Sequence, residues 1–128
     1  RLGMEDAITT AFDPSVQVPA PSQGAIGVEI LASRDDVEEL LAPMFDATTT
    51  AACTAERAFM RILEGGCTVP LGAYCRKMGS KWEFFGWVGD TRGERVLKER
   101  TTGDTPVEMA EAMAEDFIDR GAREILEE

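Results

Sequence analysis

Apolar residues recur every three or four positions in some stretches of the chain and cluster or alternate in others, with Gly- and Pro-rich breaks between them. Leu2, Met4, Ile8 and Phe12 predict a short amphipathic helix over 2–12. Asp13-Pro14-Ser15 breaks it, and Pro19-Ala20-Pro21-Ser22-Gln23-Gly24 is a connector without regular structure. Ala25-Ile26-Gly27-Val28-Glu29-Ile30-Leu31 reads as a buried strand, suited to the interior of a sheet whose other strands are not evident in this chain. Asp35-Asp36 open a helix, where acidic groups favour the positive end of the helix dipole. Val37, Leu40, Leu41 and Met44 mark one face of it, and Pro43 lies near its end. A longer helix over 50–64 places Ala55, Phe59, Ile62 and Leu63 on its buried stripe. Gly65-Gly66 ends it, because glycine enters the left-handed region cheaply.

The remainder reads as one unit. Residues 71–78, 81–88 and 94–100 have strand character and are separated by Gly79-Ser80 and by Gly89-Asp90-Thr91-Arg92-Gly93. Such short Gly-containing links imply hairpins, so the sheet is expected to be an antiparallel meander. Thr105-Pro106-Val107-Glu108 opens another helix, with Pro at its first position and Glu at the capping-box position. Val107, Ala110, Met113, Phe117 and Ile118 face the sheet, Gly121 stops the helix, and residues 122–126 add a final turn. Trp82, Phe84, Phe85 and Trp87 lie on both faces of one strand, three of them packing between sheet and helices. The fold class is therefore α+β: a small domain from about residue 48 with a three-stranded antiparallel sheet packed by helices. Residues 1–47 read as the tail of something larger.

At 128 residues with 44% apolar and 29% charged side chains, the chain suits one modest domain, or one domain with remnants of another. No window approaches the ~20 apolar residues of a membrane span, and no signal-peptide pattern is visible. Arg1, in place of a starting Met, suggests a fragment or a processed chain. The net charge of −11 argues against a nucleic-acid surface and against anionic membranes, both of which need clustered Lys and Arg. The chain has no His, which excludes a Ser-His-Asp or Cys-His mechanism within it and removes the commonest metal ligand. The acidic runs Asp35-Asp36, Glu38-Glu39 and Glu127-Glu128 read as solvated helix faces rather than acid–base pairs.

Three cysteines at irregular spacing, Cys53, Cys67 and Cys75, form neither a disulfide framework nor a zinc pattern. Free thiols fit a reducing, cytosolic compartment, and the absence of Cys-x-x-Cys counts against a thiol redox domain. Cys53 on its helix and Cys75 in its strand read as small core residues. Cys67 differs, because it follows Gly65-Gly66 at a helix end and precedes a strand. Two readings stand on residue types alone: a partly buried structural thiol, or a reachable thiol able to form a thioether with an electrophilic methylene carbon. Arg57 and Arg61, one turn apart, could face the loop that carries Cys67, but a surface salt-bridge role is the favoured reading.

Several stretches, in order along the whole chain, resemble the porphobilinogen deaminase (hydroxymethylbilane synthase) family. Thr54-Ala55-Glu56-Arg57-Ala58-Phe59 leading into Leu63-Glu64-Gly65-Gly66-Cys67-Thr68-Val69-Pro70-Leu71-Gly72 is similar to that family's helix and cofactor loop. The segment 19–29 resembles its P-A-x-x-Q-G-A-h-x-h-E motif, where h is apolar. Arg1-Leu2-Gly3 resembles the preceding Arg-Leu-Gly, and Gly121-Ala122-Arg123-Glu124-Ile125-Leu126 the C-terminal helix. The resemblance implies an enzyme that joins four porphobilinogen units into hydroxymethylbilane, releasing ammonia at each step. The growing oligopyrrole hangs from a dipyrromethane cofactor held by a thioether, whose cysteine matches Cys67.

The same resemblance implies a layout. Residues 1–24 would end a second periplasmic-binding-protein-like α/β domain and include the connector. Residues 25–46 would return a strand and helix to a first such domain, with a hinge, and 47–128 would form the cofactor-carrying C-terminal domain. Arg1 matches an arginine pairing with cofactor carboxylates, and Gln23 and Gly24 a cleft-lining Gln-Gly. Gly24 has an equal alternative role, to permit the turn into the following segment. Ser22 stands where Gly is common in the family, a change that stiffens the connector. The family's catalytic aspartate and most substrate-binding arginines have no counterpart here, so no catalytic residue is assigned in this chain and activity requires an N-terminal part. Against this stands a reading from another class, a stand-alone acidic α+β binding domain with a structural Cys67.

Overall fold

The computed structural model describes residues 2–64 and 69–127. Arg1, the Gly65-Gly66 turn and Cys67 lie outside the described residues. The order of elements is α1 (Asp35–Leu41), α2 (Ala47–Ile62), β1 (Leu71–Met78), β2 (Lys81–Gly89), β3 (Val96–Gly103), α3 (Pro106–Asp119) and α4 (Ala122–Leu126). The strands form one antiparallel sheet in the order β1-β2-β3, the expected meander, with Cys75 opposite Phe84 and Phe85 opposite Arg100.

Helix α2 starts at Asp46, whose carboxylate accepts the Thr49 N–H at 2.6 Å and satisfies a donor that the first turn leaves free. Its inner face presents Ala55, Ala58 and Phe59, and α3 answers with Ala110, Met113, Ala114 and Phe117. The alanines let the two helices approach closely. Between them Phe59 meets Phe84 of the sheet at 5.5 Å and Phe117 at 5.6 Å between ring centroids, the second pair edge-on. Cys75, Val88, Ala122 and Ile125 close this single core.

Alternation along β2 sends Trp82, Phe84, Gly86 and Val88 to the helices and Glu83, Phe85 and Trp87 to the other face. Two of the four aromatic residues therefore pack against helices, not three. On the outer face Glu83 is 1% exposed and bound by Arg76 Nε at 2.5 Å and by Arg100. The same two guanidinium groups lie 5.5 and 5.7 Å from the Phe85 ring centroid, so the face is a charged and aromatic layer rather than a second apolar core.

Several element ends and caps differ from expectation: α2 begins at Ala47 rather than residue 50 and β3 runs on to Gly103 rather than residue 100. The third strand begins at Val96 rather than residue 94, because the Asp90 carboxylate takes the N–H groups of Arg92, Glu94 and Arg95 at 2.9, 3.0 and 2.7 Å. Those amides are held in the turn and are not available to a ladder. Helix α2 ends at Ile62, and the left-handed residue after its cap is Glu64, with φ 56°, ahead of the expected glycines. At α3 the capping box closes side chain to side chain: the Thr105 hydroxyl donates to Glu108 Oε2 at 2.7 Å, with no side-chain cap on the backbone. Gly121, at φ 87°, ends that helix as expected.

The leading region departs furthest. The helix expected over 2–12 is one 3-10 turn at Glu5–Ala7, and Leu2, Met4, Ile8 and Phe12 are exposed. A helix this short has no stability of its own and needs a face to pack on. Residues 25–31 form no strand among the described residues, and Ile26 is 95% exposed. Helix α1 forms where expected but contributes no buried residue.

Candidate functional site

Between the exposed stretches, residues 13–24 are strapped to the folded unit. Asp13 pairs with Arg76 at 3.5 Å, and Lys98 Nζ donates to the Val16 carbonyl at 2.9 Å. The Ala73 N–H donates to the Pro19 carbonyl at 3.0 Å. Gly72 makes this approach possible, since a Cβ there would stand 2.9 Å from the Val18 carbonyl oxygen.

The connector then turns at residues 21–24. Ser22 (φ 59°) and Gly24 (φ 85°) both take the left-handed region, costless for Gly24 and strained for Ser22. That conformation gives a physical reason why glycine suits position 22. The Gln23 side-chain oxygen accepts the Ala20 N–H at 3.3 Å. A Cβ on Gly24 would meet nothing within 4 Å, so its backbone is open to an approaching group.

Gln23 and Gly24 line a cavity of about 320 Å³ together with Cys53, Glu56, Cys75 and Arg76. Glu56, on α2, is 5% exposed. Its Oε2 accepts the Ser22 N–H at 2.6 Å and its Oε1 the Cys75 N–H at 2.7 Å. Burial pushes its carboxyl up from the ordinary value, against the opposing pull of the two amides. Burial, with the nearby Glu56 carboxylate and Cys53, pushes the Cys75 thiol up to about 12. Cys75 is thus a protonated core residue, as expected. Cys53 is only half-buried, lies outside the core cluster and lines the cavity, because its turn of α2 faces the connector rather than the sheet.

Of the residues expected to hold a cofactor, Gln23 and Gly24 come together on one turn, while Cys67 and Arg1 lie outside the described residues. Glu64 and Val69, which bracket the Cys67 segment, do not line the cavity of Gln23 and Gly24. Arg61 pairs weakly with Glu111 at 4.0 Å on the surface, as expected. Arg57 is exposed and lines a small hollow with Ser22 and Ala25. Glu56 was not among the expected site residues. Its signal was present in the spacing, since residues 52, 56, 59 and 63 lie on one helix face and a lone carboxylate among apolar neighbours needs donors. Among the described residues no group of three or more Cys, Asp or Glu side chains is placed to hold a metal ion. Among the described residues no helix is long and apolar enough to cross a membrane.

Comparison with known proteins bears on the whole of this surface. The family model described as porphobilinogen deaminase, C-terminal domain, matches residues 50–119, from α2 through the sheet to the end of α3. The porphobilinogen deaminase of Roseiflexus castenholzii is 41% identical over 127 residues, covering 98% of this chain and 42% of that protein. That of Halalkalibacterium halodurans is 40% identical over 130 residues, covering 100% and 42%. That of Bordetella bronchiseptica is 41% identical over 130 residues, covering 100% and 41%. The chain spans about two-fifths of the length of these curated relatives. With its motifs, its α+β fold and the match over α2 to α3 in agreement, the chain belongs to the porphobilinogen deaminase family, through that family's C-terminal domain.

Proposed function

We propose that this chain is the C-terminal part of a cytoplasmic transferase that joins porphobilinogen units, with release of ammonia, onto a dipyrromethane cofactor bound as a thioether to Cys67. The observation that carries the reading is the family match over residues 50–119, which encloses Cys67. It favours this reading over a stand-alone acidic binding domain. Residues 1–24 and 25–46 are then parts of two further domains, and 47–128 is the cofactor-carrying one. The other partners are porphobilinogen, the growing oligopyrrole and the N-terminal part of the enzyme.

The described residues fit such a group on two counts. A thioether requires a thiolate. Cys75 is buried with its thiol held protonated, which counts against it as the anchor. Gly24 leaves open space beside its backbone, suited to close approach of a pyrrole ring. When bound, dipyrromethane supplies the pyrrole end onto which units are added. For its part the chain supplies the Cys67 sulfur, the Gln23 amide and the Gly24 backbone, with Arg1 as a guanidinium for a carboxylate. Arg76 is committed to Glu83 and Asp13, and Lys77 lies over Trp82, which leaves Arg57, exposed beside Ser22 and Ala25, as the further cation near this turn, with the remainder supplied by the N-terminal part.

The test is the intact mass of the chain purified after co-expression with an N-terminal part from a relative, with and without Cys67→Ser. A discrete increment on the parent, absent from the variant and mapped to the Cys67 peptide, is expected. An unmodified parent, or an adduct on Cys53, overturns the reading.

A further inference from the structure

Strand β1 is an edge strand, and an edge strand presents N–H groups that need acceptors. Two of them are taken in different ways. The Ala73 N–H goes to a backbone carbonyl of the connector, that of Pro19, as in an added strand. Two residues on, the Cys75 N–H goes to Glu56 instead, and the second oxygen of that carboxylate takes the connector's own Ser22 N–H. One buried side chain on α2 thereby replaces the backbone acceptor a fourth strand would provide and also binds the connector. Each oxygen holds one amide, and Glu56 is 5% exposed. The bound residue, Ser22, is in a left-handed conformation that a non-glycine residue keeps only when its surroundings hold it there. Gln23 and Gly24 follow it directly.

We infer that Glu56 is a positioning residue: by holding the Ser22 and Cys75 amides together it latches the turn at residues 21–24 to α2 and β1, and so sets where Gln23 and Gly24 present themselves. The effect on catalysis rests on the function proposed above; the latch itself does not. Two geometric facts distinguish it from an ordinary buried acid. Its partners are amides from two separate segments, 34 and 19 residues away in the chain. Moreover, Glu56 has no guanidinium or ammonium partner among the described residues, the nearby Arg76 being bound to Glu83 and Asp13.

Amide hydrogen exchange of the full 128-residue chain tests the latch directly. In the parent, the Ser22 amide is expected to exchange roughly 10- to 100-fold more slowly than an unbonded amide of the same sequence, the range set by a hydrogen bond to a charged group. Glu56→Gln keeps the size of the side chain but turns one acceptor into a donor. It is expected to release Ser22 or Cys75, or both, by a similar factor, while amides of the central strand β2 stay protected. An unprotected Ser22 in the parent overturns the latch, as does full protection of both amides in a folded variant. Should the variant unfold, seen as lost protection in β2, the parent measurement alone decides.

The catalytic consequence is read in the enzyme completed with an N-terminal part, as turnover per molecule carrying the Cys67 adduct. With Glu56→Gln that quantity is expected to fall roughly tenfold with KM little changed, the pattern of a misplaced reacting group. A role confined to folding lowers the loaded fraction and leaves turnover per loaded molecule unchanged, which overturns the positioning role. Absence of the adduct from parent and variant alike counts against the proposed function, and exchange at Ser22 still decides the latch.

Discussion

Phe59, Phe84 and Phe117 are fully enclosed within residues 47–127, whereas Leu2, Ile26, Leu40 and Met44 of the preceding stretch are all at least 76% exposed. Both regions are rich in apolar side chains, and both contain a helix with acidic residues in or before its first turn. The difference is the presence of a facing surface. Helix α2 has α3 and β1 to lie against; α1 has no buried residue and residues 25–31 have no strand beside them among those described. Residues 13–24 stand between the two cases, half-buried in part and held by hydrogen bonds, the Asp13–Arg76 ion pair and one buried carboxylate.

The contrast is broken most forcefully by truncating one large side chain in each region. Phe59→Ala removes the ring between Phe84 and Phe117 and should cost about 3–5 kcal/mol, much of the stability of a small domain. Ile26→Ala should change stability by less than about 0.5 kcal/mol. Urea melts of the full chain measure both. Comparable losses would mean that residues 25–31 are packed in solution, against the exposure seen here.

A smaller effect comes from adding one methyl group. A Cβ on Gly86 would stand 2.6 Å from Met113 Sδ and 2.9 Å from Phe59 Cζ, with the aromatic ring fixed on both sides. Gly86→Ala should therefore cost about 1–3 kcal/mol. At Gly27 the same methyl group meets nothing within 4 Å, and Gly27→Ala should be neutral within about 0.5 kcal/mol. If the two variants melt alike, the core at the α2–β2 contact adapts more easily than its packing indicates.

Legibility in the sequence followed the same division. Strand β1 and the helix from Pro106 were readable because their periodicity and their stop signals agree, and in each case a partner element lies within the chain. The helix over 2–12 and the strand over 25–31 have equally good periodicity, but periodicity predicts a face and not what covers it. The start of β3 was missed because Asp90 competes for three backbone amides, a side-chain effect that turn composition does not reveal. In the site, Gln23 and Gly24 were legible through a motif. Glu56 was passed over because a glutamate on a helix usually points to water, and only its place on the apolar stripe betrays it.

The smallest effect sharpens the comparison at the helix starts. Asp46 accepts the Thr49 amide, which holds its carboxyl below the ordinary value of 3.8; Asp36, paired with Arg34 at the start of α1, is also held below it. A carboxyl whose folded value is depressed adds stability above its unfolded value, and that stability is lost as pH falls through the folded value. Asn retains the cap oxygen at position 46 but not the charge. Asp46→Asn should therefore lower the melting temperature by a few degrees at neutral pH, and the gap from the parent should close at pH well below 3.8. Asp36→Asn should leave the cooperative transition in place at every pH, because α1 buries nothing on which that transition depends. A matching pH-dependent loss at position 36 would place α1 inside the cooperative unit and erase the distinction between the two regions.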